Sequence, residues 1–167
     1  MADQPALHVL FPANRAPDGY ADRVALALEA QGHSLARHAL PGDHPRLDPS
    51  AVLAADIALS RLPDGARVLA DGGALPGLAA ALAMDSRRLR FVALVDRLLW
   101  LEPGLTEEAA AARRHLEQGA LALMRAVAVP DAETAQAVTD LGLAPEAAVV
   151  LAPDTAAADR LDDLFGA

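Results

Sequence analysis

The stretch Arg90-Phe91-Val92-Ala93-Leu94-Val95 decides the fold class, because it is a short and almost wholly apolar run with no polar alternation. Such a run is typical of a strand buried on both faces of a parallel sheet. A second short apolar run, Val68-Leu69-Ala70, precedes it, and a helical segment over residues 72–84 lies between the two. Strand, helix and strand in this order predict a βαβ unit with a right-handed crossover.

The same alternation continues in both directions along the chain. Upstream, the pattern predicts a strand at residues 7–11, a helix at 20–31 ended by Gly32, an edge strand at 34–40, a short helix at 49–55 and a short strand at 57–60. Downstream, it predicts a helix at 106–123 with Thr106 as its N-cap, a strand at 126–129, a helix at 131–141, a strand at 148–151 and a C-terminal helix or tail at 156–167. We therefore expect an α/β chain with a Rossmann-like, doubly wound fold, in which helices cover both faces of a mostly parallel sheet. No linker or change of composition divides residues 1–167, which predicts a single domain.

The charge of the chain argues against two classes of partner. Its 14 basic and 23 acidic residues give a net charge of -9, so the surface repels nucleic acid and anionic membranes. All of the basic residues are arginines, which excludes Schiff-base lysines and the lysine of a P-loop.

Cysteine and histidine usage excludes further chemistry. The chain has no cysteine, so disulfides, thiolate nucleophiles and cysteine metal sites are absent, and a cytoplasmic location is expected. The 5 histidines lack metal-ligand spacing, and we expect neither a metal nor a cofactor. Neither a signal peptide nor a membrane span is predicted.

Three polar segments sit where open α/β sheets bind ligands, at the carboxyl ends of strands. Asp96 follows the run at 90–95, and a catalytic or acceptor-binding role competes there with a structural role, capping the next turn or pairing with Arg97. Gly19 precedes the first helix, where it and Arg15 could receive an anion or form a plain loop. Asp71-Gly72-Gly73 offers a carboxylate and amides to a ligand, although a tight turn also needs small residues. Trp100 and its leucine neighbours form either core or an exposed surface for a partner or hydrophobic acceptor.

The order of these features resembles a known family. The matching stretches are residues 7–11; Pro17-Asp18-Gly19-Tyr20 before a helix ending Ala30-Gln31-Gly32-His33; Leu62-Pro63-Asp64-Gly65 before residues 68–72; Val92-Ala93-Leu94-Val95-Asp96 with Glu102 beyond; Val127-Ala128-Val129-Pro130 before Glu133-Thr134-Ala135; and residues 149–155. Together they resemble the N-terminal domain of family 4 GT-B glycosyltransferases over almost the whole chain. The resemblance implies one half of a GT-B fold, the half that binds the acceptor.

The resemblance also implies what the chain needs and how it departs from the family. The donor sugar nucleotide is held by the other half of such enzymes, so we expect a separate donor-binding half as partner and no activity from this chain alone. By this resemblance, Arg97 and Glu102 join the acceptor- or ligand-binding candidates, and Asp96 stands where the family often has a histidine. Asp18 replaces one glycine of the family's first loop, and its carboxylate opposes a diphosphate there.

Two rival functions stay open at this stage. The first is a non-catalytic α/β binding or scaffold protein, present as a homodimer, that has lost transferase chemistry. The second is a flavodoxin-like nucleotide binder, which the absence of a phosphate-cradling loop disfavours.

Overall fold

The computed structural model describes residues 7–154 and 157–166. Within them, 6 strands form one sheet in which every neighbouring pair is parallel. The strands are β1 (Leu7–Pro12), β2 (Leu35–Leu40), β3 (Arg67–Asp71), β4 (Arg90–Leu94), β5 (Ala126–Val129) and β6 (Ala148–Val150). The α/β class and the parallel sheet predicted from the apolar runs are confirmed.

The strand order is β2-β1-β3-β4-β5-β6. The chain first moves from β1 to β2 and then returns across β1 to β3, after which each strand is added on the same side. This reversal places a topological switch point between β1 and β3. Loops leaving the carboxyl ends of these two strands diverge to opposite faces, which opens a crevice there.

Helices cover both faces of the sheet, as doubly wound folds require. They are α1 (Tyr20–Ala30), α2 (Pro49–Ser60), α3 (Leu75–Asp85), α4 (Glu107–Leu121), α5 (Ala132–Asp140) and α6 (Ala157–Gly166). Helices α1 and α6 bury a core with Leu7, Val9 and Phe11 of β1, whereas α2 to α5 pack on the opposite face with Leu10. The alternation along β1 follows from the two-residue period of a strand.

Local sequence explains how three of the helices begin. The Asp48 and Asp131 side chains accept hydrogen bonds from the amides of Ser50 and Thr134, at 2.9 and 2.8 Å. The hydroxyl of Thr106 accepts from the amide of Ala109 at 3.1 Å, which confirms the predicted cap. Each cap satisfies an amide that the helix itself leaves unpaired.

The strand predicted at residues 57–60 is wrong. Helix α2 continues through these residues, because Ala51, Ala55 and Leu59 recur every fourth position and bury one stripe against the sheet. A run of four residues is too short to separate strand alternation from helical periodicity. The segment after Asp71 also differs slightly, since a 3₁₀ turn at Gly72–Ala74 precedes α3.

The C-terminal helix predicted at residues 156–167 is present as α6, and Leu161, Leu164 and Phe165 are buried beneath it. Residues 156 and 167 of that prediction lie outside the described residues, as do residues 1–6 and 155. No helix in the described part of the chain combines the length and hydropathy needed to cross a bilayer.

Candidate functional site

A cavity of about 230 Å³ opens at the switch point, at the carboxyl ends of β1, β3 and β4. Four segments supply its walls: the loop and first turn of α1, the loop after β2, the turn after β3 and the loop after β4. The lining includes six residues singled out from the sequence, which are Arg15, Gly19, Asp71, Gly73, Asp96 and Arg97. The convergence of strand ends thus brings together residues up to 82 positions apart (15 to 97).

Asp71 is a partly buried carboxylate in the lining of this cavity. Its Oδ1 accepts a hydrogen bond from the Gly73 amide at 2.8 Å, which caps the 3₁₀ turn. Burial raises the pKa of Asp71 above its usual value, the Gly73 amide opposes this, and the nearby Asp96 charge raises the pKa further. A carboxyl group with a raised pKa in a cleft is a candidate for binding or proton transfer.

Asp96 lies at the mouth of the cavity and is exposed, as is Arg97. Among the ion pairs and hydrogen bonds of residues 7–154 and 157–166, none uses the Asp96 carboxylate. The structural role considered for Asp96 was to cap the next turn or to pair with Arg97. No described hydrogen bond or ion pair supports that role. The oxygens of Asp96 are available to an incoming hydroxyl group.

Arg15 lines the cavity, but its charge is already paired. Its guanidinium donates to both carboxylate oxygens of Asp22, with an Nη2–Oδ1 distance of 2.6 Å and an Nε–Oδ2 distance of 3.0 Å. The same group lies 3.7 Å above the centre of the Phe11 ring. The anion site predicted before α1 is thus occupied internally by the Asp22 carboxylate.

Three predicted residues lie away from this cavity. Asp18 is exposed and has a φ of 61°, a left-handed conformation that glycine adopts more easily. Gly72 is buried, and an added Cβ would lie 3.4 Å from the carbonyl oxygen of Leu94, an ordinary van der Waals contact. Glu102 lines a second cavity, which also includes Asp131 and Glu133, and its carboxylate pairs with Arg113. Asp96 and Arg97 separate the two cavities and line both.

Sequence reasoning missed Tyr20, the first residue of α1. Its ring is buried, and its hydroxyl donates to the carbonyl oxygen of Leu151 at 2.8 Å, which ties α1 to the end of β6. Burial, with smaller contributions from Asp96 and Asp131, raises the pKa of Tyr20. An aromatic residue directly after Gly19 was the available signal.

His44 was also missed. Its side chain is buried in the wall of the cavity, and Nε2 donates to the Pro41 carbonyl oxygen at 3.1 Å. Its Nδ1 has no hydrogen-bond partner among the described residues. Asn14 holds the same loop by donating to the His44 carbonyl oxygen at 3.0 Å.

The sequence left Leu99 and Trp100 between core and surface; in the structure Leu99 lines the cavity, whereas Trp100 packs against the core. The backbone amides of Leu99 and Trp100 donate to the two oxygens of Glu117 at 2.7 and 2.9 Å. Glu117 is only 1% exposed, and burial raises its pKa while the two amides and Arg113 lower it. Leu99 is buried and Trp100 is partly buried, so the cluster is mainly core.

No group of three potential metal ligands occurs within residues 7–154 and 157–166. Comparison with known proteins adds no assignment: no protein-family model matches the chain, and no curated protein matches it.

Proposed function

We propose that this chain is the acceptor-binding half of a glycosyltransferase of the GT-B type and that its cavity binds a neutral, hydroxyl-rich acceptor. The supporting observation is that two carboxylates besides the Arg15-paired Asp22 line one cavity: Asp71 and Asp96, at the ends of neighbouring strands β3 and β4. The resemblance of the sequence to the N-terminal domain of family 4 enzymes supplies the reaction class. The donor-binding half lies outside these residues.

The charges around the cavity favour hydroxyl groups over phosphates. Ionised carboxylates accept hydrogen bonds and repel anions, whereas Arg15, one of the two arginines in the lining, is neutralised by Asp22. Arg97 at the rim leaves one exposed positive charge. A sugar or polyol is the ligand class that satisfies several acceptors without adding negative charge.

The two carboxylates suit different tasks. Asp71 is enclosed and held by the Gly73 amide, so it orients the acceptor. Asp96 also lines the cavity but is exposed, so it remains accessible to a second reactant. In the assembled enzyme, Asp96 takes the proton of the attacking acceptor hydroxyl group. The oxygen of that hydroxyl group forms a bond to the anomeric carbon of the donor sugar. The bond between that carbon and the nucleoside diphosphate breaks, and the diphosphate leaves with its electrons.

The Asp71→Asn variant tests the acceptor site. Titration calorimetry with the methyl glycosides of glucose, galactose, mannose and N-acetylglucosamine should detect one that binds the wild-type chain, with at least a tenfold loss of affinity in the variant. Asp163→Asn on the exposed face of α6 is the control with the same charge change, and it should bind as the wild type does. Tight binding of UDP by the isolated chain, or equal binding by the Asp71→Asn variant, would contradict the proposal.

The same variant should also change how the free energy of unfolding depends on pH. The pKa of Asp71 is raised in the folded chain, so the folded state holds this proton more tightly than the unfolded state does. The wild type therefore loses stability as pH rises through the interval above the ordinary pKa of an aspartate. The Asp71→Asn variant keeps an oxygen for the Gly73 amide and lacks this pH-dependent loss, so its stability relative to the wild type should rise between pH 4 and pH 8. Urea unfolding at both pH values measures it.

A second candidate function is a binding or scaffold protein that acts as a homodimer, and one surface supports it. Four large apolar side chains near α2 and α3 are exposed: Leu47 (66%), Leu53 (59%), Ile57 (42%) and Met84 (78%). All but Ile57 line one apolar surface of α2 and α3. Exposed apolar groups that cluster in this way commonly mark a contact between proteins. Sedimentation equilibrium should then show a dimer that Leu53→Ser together with Met84→Ser dissociates. The dissociation constant of a weak dimer is on the order of 100 µM. If the wild type is a monomer at about that protein concentration, this candidate is rejected.

A further inference from the structure

We propose that the acceptor is amphipathic, with its hydroxylated head in the cavity at the switch point and an apolar chain in the groove beside it. This inference rests on the proposed function, and it adds the class of acceptor. The groove has a volume of about 330 Å³ and lies between α4 and the loop that joins β2 to α2. Its apolar walls are Pro45, Leu47, Pro76, Leu99, Ala109, Ala112 and Leu116.

The groove and the cavity share two walls. Pro45 and Leu99 line both, so a molecule that leaves the cavity over these residues enters the groove directly. Leu99 is held in place because its amide donates to the buried Glu117 carboxylate at 2.7 Å. At its other end the groove reaches Leu47, which is 66% exposed and also lines the apolar surface of α2 and α3.

Two spaces adjoin the cavity, the second cavity and the groove, and their charges indicate which one binds the apolar chain of the acceptor. The second cavity also adjoins the first, but Asp96, Glu102, Asp131 and Glu133 line it, and an apolar chain there would desolvate carboxylates. The groove contains no unpaired carboxylate, because Glu117 accepts two backbone amides. Of its two arginines, Arg113 is paired with Glu102. Of the two neighbours of the cavity, the groove is therefore the one in which burial of an apolar hydrocarbon chain is favourable.

The volume of the groove, about 330 Å³, suits a single extended hydrocarbon chain as occupant. Ala109 and Ala112 keep the surface of α4 low, which leaves the space that larger side chains would fill. A helix with its side chains is about 10 Å across and would need a far larger trough. An alkyl or isoprenoid chain attached to the acceptor matches both the size and the lining.

Paired ligands that differ only in the chain test the inference. Methyl and octyl glycosides of the same sugars, kept below the micelle concentration of the octyl compounds, are titrated into the wild-type chain. Octyl binding should be at least tenfold tighter, because each methylene removed from water adds affinity. Ala112→Leu should abolish this preference and leave methyl glycoside binding unchanged. The control Ala111→Leu, an exposed neighbour on the same helix that does not line the groove, should keep the preference.

Each outcome separates this inference from the proposed function. If a methyl glycoside binds and the octyl compound binds no tighter, the inference is overturned and the acceptor site stands. Ala109→Leu fills the groove at a second position. If both Ala112→Leu and Ala109→Leu still bind the octyl glycoside more tightly than the methyl glycoside, the octyl group lies outside the groove and the inference is again overturned. If no glycoside of either kind binds, the proposed function fails and the inference fails with it.

Discussion

The Gly42→Ala variant is expected to lose about 3 kcal/mol of unfolding free energy. Gly42 lies in the loop two residues after β2 and has a φ of 118°, a conformation that side chains rarely adopt. A Cβ there would lie 2.6 Å from the Cβ of Ala51 in α2. Two costs therefore add: backbone strain, and a forced displacement of either α2 or the loop that carries His44. Chemical denaturation at pH 7 measures the loss.

Gly65 provides a matched control for this variant. It also has a positive φ, 79°, but nothing lies within 4 Å of the position of an added Cβ. Gly65→Ala should therefore cost only the backbone strain, about 1 kcal/mol. Ala51→Gly combined with Gly42→Ala removes the clash and should recover about 1 kcal/mol or more in a double-mutant cycle. Equal losses for Gly42→Ala and Gly65→Ala would show that the contact with Ala51 does not limit this turn.

Substitution of Glu117 is expected to have the second large effect. Glu117→Ala leaves the amides of Leu99 and Trp100 without their acceptors in a buried setting, which should cost about 3 kcal/mol. For a chain of this size, that loss lowers Tm by roughly 6–12 °C. Calorimetry or circular dichroism against temperature measures it.

Glu117→Gln and Gln118→Ala complete this test. The glutamine side chain retains one acceptor oxygen, so Glu117→Gln should lose less stability than Glu117→Ala does. Gln118 is the exposed neighbour on α4, and Gln118→Ala should stay within about 0.5 kcal/mol of the wild type. A Glu117→Ala variant as stable as Gln118→Ala would mean that water replaces the carboxylate at no cost.

Both positions also bear on ligand binding, because each fixes a wall of the site. Gly42 sets the path of the loop that presents His44 and Pro45, and Glu117 holds Leu99. Pro45 and Leu99 are the two residues shared by the cavity and the groove. Variants that weaken the fold here should therefore weaken octyl glycoside binding as well, whereas Gly65→Ala should not.

Some of the site was predictable from the sequence because strand ends are predictable. An apolar run followed by a polar residue marks where a buried strand meets solvent, and in a parallel sheet these points meet at one edge. Asp71 and Asp96 were found in this way, and the structure brings both to the cavity. Asp18 and Glu102 were selected by resemblance, and neither lines that cavity.

The sequence by itself determined the α/β class, the alternation of strands and helices, the Thr106 cap and the exclusion of chemistries that need cysteine or lysine, since these depend on residue type and on spacing along a few turns of chain. Only the tertiary structure decided the strand order, the extension of α2 through residue 60, and the roles of Tyr20, His44 and Glu117. Tyr20 bonds a carbonyl 131 residues away, and Glu117 bonds amides 18 and 17 residues away. Local periodicity records which face of an element is buried, but the partner of a buried polar group is set by elements that meet only when the chain has folded.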